Sequence, residues 1–369
     1  MSNNLKYNIS FHSCEFINDY VYYSNLNFNG LYKYDLKTNK NTFIGFFPGE
    51  AKSTRHLHGA VKLIKGKLYF APMSGNCIAV YDIENGSFDS YNIRDFCTTK
   101  YTKFYDILEF EGSVYFIPSR SESIVKMNCK TNELNIYNNW DKYINRNLDK
   151  KSPVIKNGSF IYNNELYLPC CRDNFIIVID LSTFIVRRIK IENVKNGFCD
   201  AFFNTNNKEI TLLVNGEASI VKYNLDSGKS KVFKYPLLNS NNIDFPYQKM
   251  INLNERIFIP AYQQEYSLVF DVNDCVFYKV NLENIYCVYE REWNAFHYNV
   301  YKHTDDDIWI MDTGDYKITR VNRELKTKEF FYLIDKEAPI RIYSEVGRIT
   351  YKENDRMDLN DFIRMVERA

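Results

Sequence analysis

One interval recurs seven times along this chain of 369 residues. A residue at the centre of a short apolar run is followed thirteen positions later by Asp or Asn. The centres are Tyr22, Tyr69, Tyr115, Tyr167, Thr211, Phe258 and Trp309, and the residues that follow them are Asp35, Asp82, Asn128, Asp180, Asn224, Asp271 and Asn322. Successive repeats are 44 to 52 residues apart, a spacing typical of propellers and other repeat arrays. The chain is therefore expected to form one ring of similar units rather than two or three unrelated domains.

Each repeat contains the pattern of four antiparallel strands. Both neighbours of every centre are apolar, which predicts a strand buried on both faces. The next run ends at the repeated Asp or Asn, and in four repeats an Asn or Gly four residues later suits a tight hairpin, namely Asn39, Gly86, Asn132 and Gly228. With one strand before and one after, the pattern predicts an all-β, seven-bladed β-propeller of four-stranded antiparallel blades, with six or eight blades as alternatives.

The first strand of each unit is predicted to begin near Phe11, His58, Phe104, Lys156, Asp200, Tyr247 and Tyr298. The repeated Asp or Asn is expected to cap the turn that follows it by accepting backbone hydrogen bonds, rather than to act in catalysis.

Two parts are expected along the chain. Residues 7–335 form the propeller, and residues 336–369 form a C-terminal hairpin followed by a short helix. Leu359, Phe362, Ile363 and Val366 give that helix one apolar stripe, and Asp358 is placed to cap it. The stripe is expected to pack on the propeller or on a protein partner.

Composition limits the classes of partner. The chain has 47 Lys and Arg against 46 Asp and Glu, without a basic stripe, so nucleic acid is not an expected partner. No window approaches about 18 uninterrupted apolar residues, and Met1–Asn8 does not resemble an export signal, so we expect no membrane partner. Nine scattered cysteines indicate reduced thiols and a cytoplasmic protein, and abundant Asn, Lys, Ile and Tyr suggest a bacterial source.

A site is expected at one end of the ring. We call this end the loop face. It carries the start of each first strand, the loop between the second and third strands, and the crossover to the next blade. Loops on a rigid scaffold commonly carry binding and catalysis. Long crossovers at 141–156 and 283–297 should narrow the channel mouth from opposite sides, and the second of them contains Trp293.

Arg120 and Arg172 occupy equivalent places in adjacent loops of this face, five residues after the centres of their second strands. Paired guanidinium groups suit a carboxylate, phosphate or sulfate, although both arginines have acidic neighbours that they could bridge instead. In this interpretation Trp293 stacks on the ligand. Further polar side chains complete the rim of the site, namely Asp200, Glu217 and Asp312.

Histidine supplies the candidate general bases. His58 and His297 stand near predicted strand starts at the channel mouth, although a histidine at such a place is also commonly a structural residue. In an enzyme, Glu217, Asp312 or Asp200 would help to hold a divalent cation such as Mg²⁺ through hard oxygen ligands. Phosphate-loop, dinucleotide and nucleophile-elbow signatures do not occur in the sequence.

Two repeat segments, Ile78–Gly86 and Ile220–Gly228, resemble the repeats of the virginiamycin B lyase-like and quinoprotein-like propellers. The resemblance spans about residues 8–333 and implies a propeller scaffold. In the lyase family, His and Glu side chains with a magnesium ion on the loop face open a cyclic depsipeptide by elimination. This chain has His58, His297 and Glu217 at candidate positions but lacks a matching motif.

We therefore expect a binding protein for a small polar or anionic ligand, a peptide or a glycan, held at the loop face near the channel. The first alternative is a divalent-metal-dependent lyase or hydrolase. The second is a protein–protein interaction scaffold that uses the outer rim and the C-terminal helix.

Overall fold

The computed structural model describes residues 11–99, 102–144, 153–235, 247–261, 266–280, 282, 298–302, 307–312 and 317–333. Within them, 28 strands form seven four-stranded antiparallel sheets, each built from four consecutive strands. The chain is an all-β, seven-bladed propeller, as the repeat predicts. The C-terminal hairpin and helix expected within residues 336–369 lie outside the described residues.

The first four blades contain β1 Cys14–Ile17, β2 Tyr20–Ser24, β3 Leu31–Asp35, β4 Lys40–Gly45; β5 His58–Ile64, β6 Lys67–Pro72, β7 Cys77–Asp82, β8 Ser87–Asn92; β9 Phe104–Phe110, β10 Ser113–Pro118, β11 Ser123–Asn128, β12 Leu134–Asn138; and β13 Phe160–Tyr162, β14 Glu165–Pro169, β15 Phe175–Asp180, β16 Val186–Lys190. The last three contain β17 Phe198–Asn204, β18 Glu209–Val214, β19 Ser219–Asn224, β20 Ser230–Lys234; β21 Ile251–Asn252, β22 Arg256–Ile259, β23 Ser267–Asp271, β24 Val276–Val280; and β25 Tyr298–Lys302, β26 Asp307–Asp312, β27 Lys317–Asn322, β28 Thr327–Tyr332.

The thirteen-residue interval corresponds to one hairpin in every blade. Each centre lies in the second strand, and each Asp or Asn is the last residue of the third strand. In blade 4, Oδ1 of Asp180 accepts hydrogen bonds from the amides of Ser182 (2.9 Å) and Thr183 (2.8 Å). In blade 3, Oδ1 of Asn128 accepts bonds from Lys130 (2.8 Å) and Thr131 (3.1 Å). The expected capping of the turn is confirmed.

Seven apolar clusters hold the ring together, and each lies between two neighbouring blades. Such a side-by-side arrangement buries both faces of every sheet, which explains why the second strands are continuously apolar. One of these clusters joins the two ends of the ring. The Phe331 ring of blade 7 lies 6.3 Å from Tyr34 of blade 1, and Trp309 of blade 7 lies 5.1 Å from Phe16.

Among the described strands, none of blade 1 pairs with a strand of blade 7. Side-chain packing between the described residues of blades 1 and 7 therefore contributes to closing the ring.

The first strands of several neighbouring blades contact one another, namely β1 and β5, β5 and β9, β9 and β13, and β21 and β25. This crowding explains two glycines. A Cβ atom on Gly158, which has a φ of +78°, would lie 2.0 Å from the amide nitrogen of Ala201. One on Gly59 would lie 2.6 Å from the carbonyl oxygen of Phe104. Only a residue without a side chain allows the backbones to approach this closely. The part of the chain that the structure describes holds no helix with the length and apolar character needed to span a membrane.

Candidate functional site

The loop face of blades 2 to 5 is joined by a chain of backbone hydrogen bonds. These bonds alternate between the loop after a second strand and the segment that leads into a first strand. They run from Met73 N to Leu57 O (2.8 Å), Lys103 N to Met73 O (3.0 Å), Ser119 N to Lys103 O (2.8 Å), Val154 N to Ser119 O (2.9 Å), Cys171 N to Val154 O (2.7 Å), Phe198 N to Cys170 O (2.7 Å) and Asn215 N to Gly197 O (2.8 Å). We call this chain the loop-face network. It fixes the loops of four blades relative to one another.

Arg120 and Arg172 are positioned by this network. Arg120 directly follows Ser119, whose carbonyl accepts a hydrogen bond from the amide of Val154. Arg172 directly follows Cys171, whose amide donates to the carbonyl of Val154. The two arginine-bearing loops are therefore joined through one residue. Both arginines are half-buried.

Two lysines lie beside these arginines. The Lys103 side chain is 2% exposed, and its Nζ donates to the carbonyl of Ser74 (3.2 Å). Burial lowers the pKa of Lys103, although the negative charges of Glu50 and Glu122 act in the opposite direction. The carbonyl of Lys103 accepts from the amide of Arg120 (3.4 Å), so the two residues are neighbours.

The second lysine, Lys156, is also buried. Burial raises the pKa of the Cys171 thiol, and the positive charges of Lys156 and Arg172 partly oppose that shift. Both cations therefore lie close to Cys171. We call Lys103, Arg120, Lys156 and Arg172 the basic segment of the loop face.

Asp200 lies deeper, beside the axis. It follows a β-bulge at Cys199, and Asp106 follows an equivalent bulge at Tyr105. Asp200 is 5% exposed, and its Oδ1 accepts a bond from the amide of Ala201 (2.9 Å).

Burial raises the pKa of Asp200 to about 7 and that of Asp106 to about 6, and the positive charge of Lys249 opposes both shifts. Burial also lowers the pKa of Lys249, and the two aspartates counteract this effect. Asp200, Asp106 and Lys249 therefore interact with one another. Burial shifts the pKa of each group in the direction that favours its uncharged form.

His58 is buried between blades 1 and 2. Its Nδ1 lies 2.9 Å from Oγ of Ser24, and its ring packs against Phe47 (4.4 Å) and Phe70 (5.2 Å). Burial lowers its pKa to about 3, so the ring is neutral at pH 7. Equivalent first-strand positions in other blades are occupied by the buried residues Phe104, Ile155, Phe198 and Tyr247. This environment favours a packing role for His58; its catalytic role stays a prediction.

The remaining predicted residues are dispersed. Glu217 lies in the loop before β19, where Oε1 accepts from Nδ2 of Asn196 (3.1 Å) and Oε2 accepts from Oγ of Ser219 (3.1 Å). Asp312 ends β26, where it pairs with Tyr298 and Lys317. Trp293 and His297 lie outside the described residues.

The cysteines of the described ranges are reduced thiols. All eight cysteines in the described ranges are free, and the adjacent Cys170 and Cys171 are buried. Burial raises the pKa of Cys170 to about 12, while the backbone amides of Arg172 and Asp173 act in the opposite direction. This pair therefore packs beneath its loop. Within the described part of the chain, no group of three or more His, Cys, Asp or Glu side chains is arranged to hold a metal ion.

Lys103, Lys156, Asp106 and Lys249 were not among the predicted site residues. Asp106 lies two residues after Phe104, as Asp200 lies two residues after Phe198 and Lys249 two residues after Tyr247, but only the strand register shows that these positions are equivalent. For Lys103, the deciding feature is burial at the loop face, which residue type does not reveal.

No protein-family model and no curated protein matches this sequence. Solved structures do match the fold. A streptogramin B lyase has a TM-score of 0.57 at 12% identity, covering 76% of this chain and 84% of its own. A catalytically inactive virginiamycin B lyase from Staphylococcus aureus, solved with quinupristin, has a TM-score of 0.60 at 13% identity, covering 85% and 94%.

A further match is Kluyveromyces lactis Hsv2, with a TM-score of 0.52 at 10% identity, covering 88% of this chain and 99% of its own. Identities this low show a shared fold and do not transfer an activity. The chain is a seven-bladed β-propeller that is structurally similar to virginiamycin B lyase.

Proposed function

We propose that this propeller is a binding protein for a small anionic ligand, which it holds at the basic segment of the loop face. The observation that carries the proposal is the position of Val154, whose amide and carbonyl bond the residues directly before Arg120 and Arg172. Because the backbone holds both loops, the loops themselves do not have to be ordered when a ligand binds. Binding to a preorganised site costs less conformational entropy.

Charge favours an anion at this place. Two arginines and two lysines come from neighbouring blades, and Lys103 and Lys156 are buried. A guanidinium group can donate two parallel hydrogen bonds to a carboxylate, phosphate or sulfate. Acidic residues such as Glu122 lie close by and would limit the site to ligands of modest size and charge.

The proposal is tested by combining R120A with R172A in the full chain. The probes are inorganic phosphate, sulfate, citrate, an acidic peptide and a sulfated oligosaccharide, measured by calorimetry and thermal shift. At least one probe should bind the wild type and raise its melting temperature, because a ligand specific to the native state stabilises it. The double variant should lose that binding and retain its unliganded melting temperature.

The matched control is R187A combined with R188A on β16, which removes the same charge from the outer strand of blade 4. This control should bind like the wild type. Equal affinity in the R120A/R172A variant, or equal loss in the control, would refute the proposal.

The probe panel separates a small anion from an acidic peptide and from a sulfated glycan. The lyase or hydrolase alternative and the scaffold alternative stay predictions. They depend largely on His297 and on residues 336–369, which lie outside the described residues.

A further inference from the structure

Two histidines face each other on the loop face, at blades 1 and 2. His12 precedes β1, and His56 lies in the crossover before β5. Nε2 of His12 and Nδ1 of His56 are 3.2 Å apart, and the ring centroids are 5.4 Å apart. This pair adjoins the basic segment of blades 3 and 4, because Ser74 donates to the carbonyl of His56 and its own carbonyl accepts a bond from Nζ of Lys103.

Both histidines are held by their backbones. His56 has a φ of +52°, and its amide donates to the carbonyl of Leu26 (2.7 Å). Its own carbonyl accepts bonds from the amide (3.0 Å) and the hydroxyl (2.9 Å) of Ser74. Three hydrogen bonds therefore fix an unfavourable left-handed conformation, and this conformation brings the imidazole to its partner.

The segment that carries His12 is anchored on both sides. Phe11 is fully buried, and its ring lies 4.6 Å from that of Tyr23. Oγ of Ser13 accepts a bond from the amide of Val61 in blade 2 (3.3 Å). His12 therefore cannot move far without disturbing two packed contacts.

The spacing of the rings fits a shared metal ion. For nitrogen ligands about 2.0–2.1 Å from a tetrahedral ion, the two nitrogens lie about 3.3–3.4 Å apart and the ring centroids about 5.2 Å apart. The two nitrogens form a hydrogen bond with each other, so a metal ion would replace the shared proton and each ring would turn to direct its lone pair at the ion.

We propose that His12 and His56 form a binding site for one late first-row divalent ion, with Zn²⁺, Ni²⁺ and Cu²⁺ as the candidates. Imidazole nitrogen suits these ions, whereas Mg²⁺ prefers oxygen ligands. No third His, Cys, Asp or Glu completes a cluster among the described residues, so water or an added ligand fills the remaining positions. Arg55 lies next to His56 and opposes a cation by repulsion, which keeps the affinity moderate.

The experiment uses the full chain without a histidine tag, stripped of metal with a chelator and then titrated with Zn²⁺ in a buffer that does not bind metal. The wild type should bind one Zn²⁺ per chain, and Mg²⁺ should not compete. H12A and H56N should each weaken binding by at least about tenfold, because one of two ligands is lost. Asn at position 56 tolerates the left-handed backbone, so H56N preserves the local fold.

The control is H303A, which removes a histidine from a different part of the sequence and should leave Zn²⁺ affinity unchanged. Electron paramagnetic resonance of the Cu²⁺ form should show coupling to two imidazole nitrogens in the wild type and to one in H56N. Zn²⁺ binding that is the same in the wild type, H12A and H56N would overturn the proposal, as would equal weakening in H303A or effective competition by Mg²⁺.

Discussion

Oδ2 of Asp200, on the first strand of blade 5, accepts a 2.6 Å hydrogen bond from the backbone amide of Met250 in blade 6. The bond crosses a blade boundary next to the axis, so the carboxyl group links two units of the ring. It does so while buried, and burial raises its pKa to about 7.

The D200N variant tests this link through its pH dependence. A carboxyl group whose pKa is higher in the folded state stabilises the fold fully below its unfolded pKa, near 4, and loses that contribution as the pH rises to about 7. The free energy of unfolding of the wild type, relative to D200N, should therefore fall by up to about 1.4 kcal/mol per pH unit between pH 4 and pH 7. Urea titrations across this range measure it. Parallel curves for the two proteins would show that Asp200 does not titrate in this way.

His58 should have the opposite pH dependence. Burial lowers its pKa to about 3, so its contribution to stability is complete above the unfolded pKa near 6.5 and is lost as the pH falls toward 3. H58F places at this position the residue type found at Phe104 and Phe198. We expect H58F to be within about 1 kcal/mol of the wild type at pH 7 and more stable than the wild type at pH 5.

Urea unfolding of H58F at the two pH values checks this prediction. A variant that is strongly destabilised at both would show that the bond between His58 and Ser24 matters more than the packing. If an enzymatic activity is found, its survival in H58F would exclude His58 as the general base.

The turn caps should be interchangeable between Asn and Asp. Asn128 accepts bonds from two backbone amides at its turn, and the equivalent residue in blades 1, 2, 4 and 6 is Asp. N128A should lower the free energy of unfolding by about 1 kcal/mol, because two amides lose their acceptor. N128D retains the acceptor and should match the wild type. Equal loss of stability in N128A and N128D would show that the side-chain oxygen is not the stabilising feature.

The hairpins could be predicted from the sequence because they are local. The interval between Tyr115 and Asn128 depends only on one hairpin, and hydrophobic pattern and turn chemistry are encoded by neighbouring residues. The equivalence of Asp106 and Asp200 cannot be found by counting residues back from the second-strand centres, because the turn after the first strand has two residues in blade 3 and four in blade 5. Asp106 therefore lies nine residues before its second-strand centre, and Asp200 lies eleven before.

The candidate site was only partly predictable for a related reason. Residue type and repeat position identified Arg120 and Arg172, because both follow the centres of their second strands by five residues. The role of Val154 depends on a backbone bond across a blade boundary, and any residue except proline can donate such a bond. Likewise, no local pattern joins His12 to His56, which lie 44 residues apart.

Ring closure supplies the last prediction. Phe331 is 7% exposed and packs between Trp309 of its own blade, at 5.3 Å, and Tyr34 of blade 1. Among the described residues, whose strands in blades 1 and 7 share no sheet, this packing holds the two blades together. F331A should lower the free energy of unfolding by about 3–5 kcal/mol, as expected for loss of a large buried aromatic side chain.

The control is the neighbouring residue Phe330, which is 40% exposed on the same strand. F330A should change the free energy of unfolding by less than about 1 kcal/mol. Urea unfolding of both variants measures the difference, and similar losses in the two would mean that this contact does not close the ring.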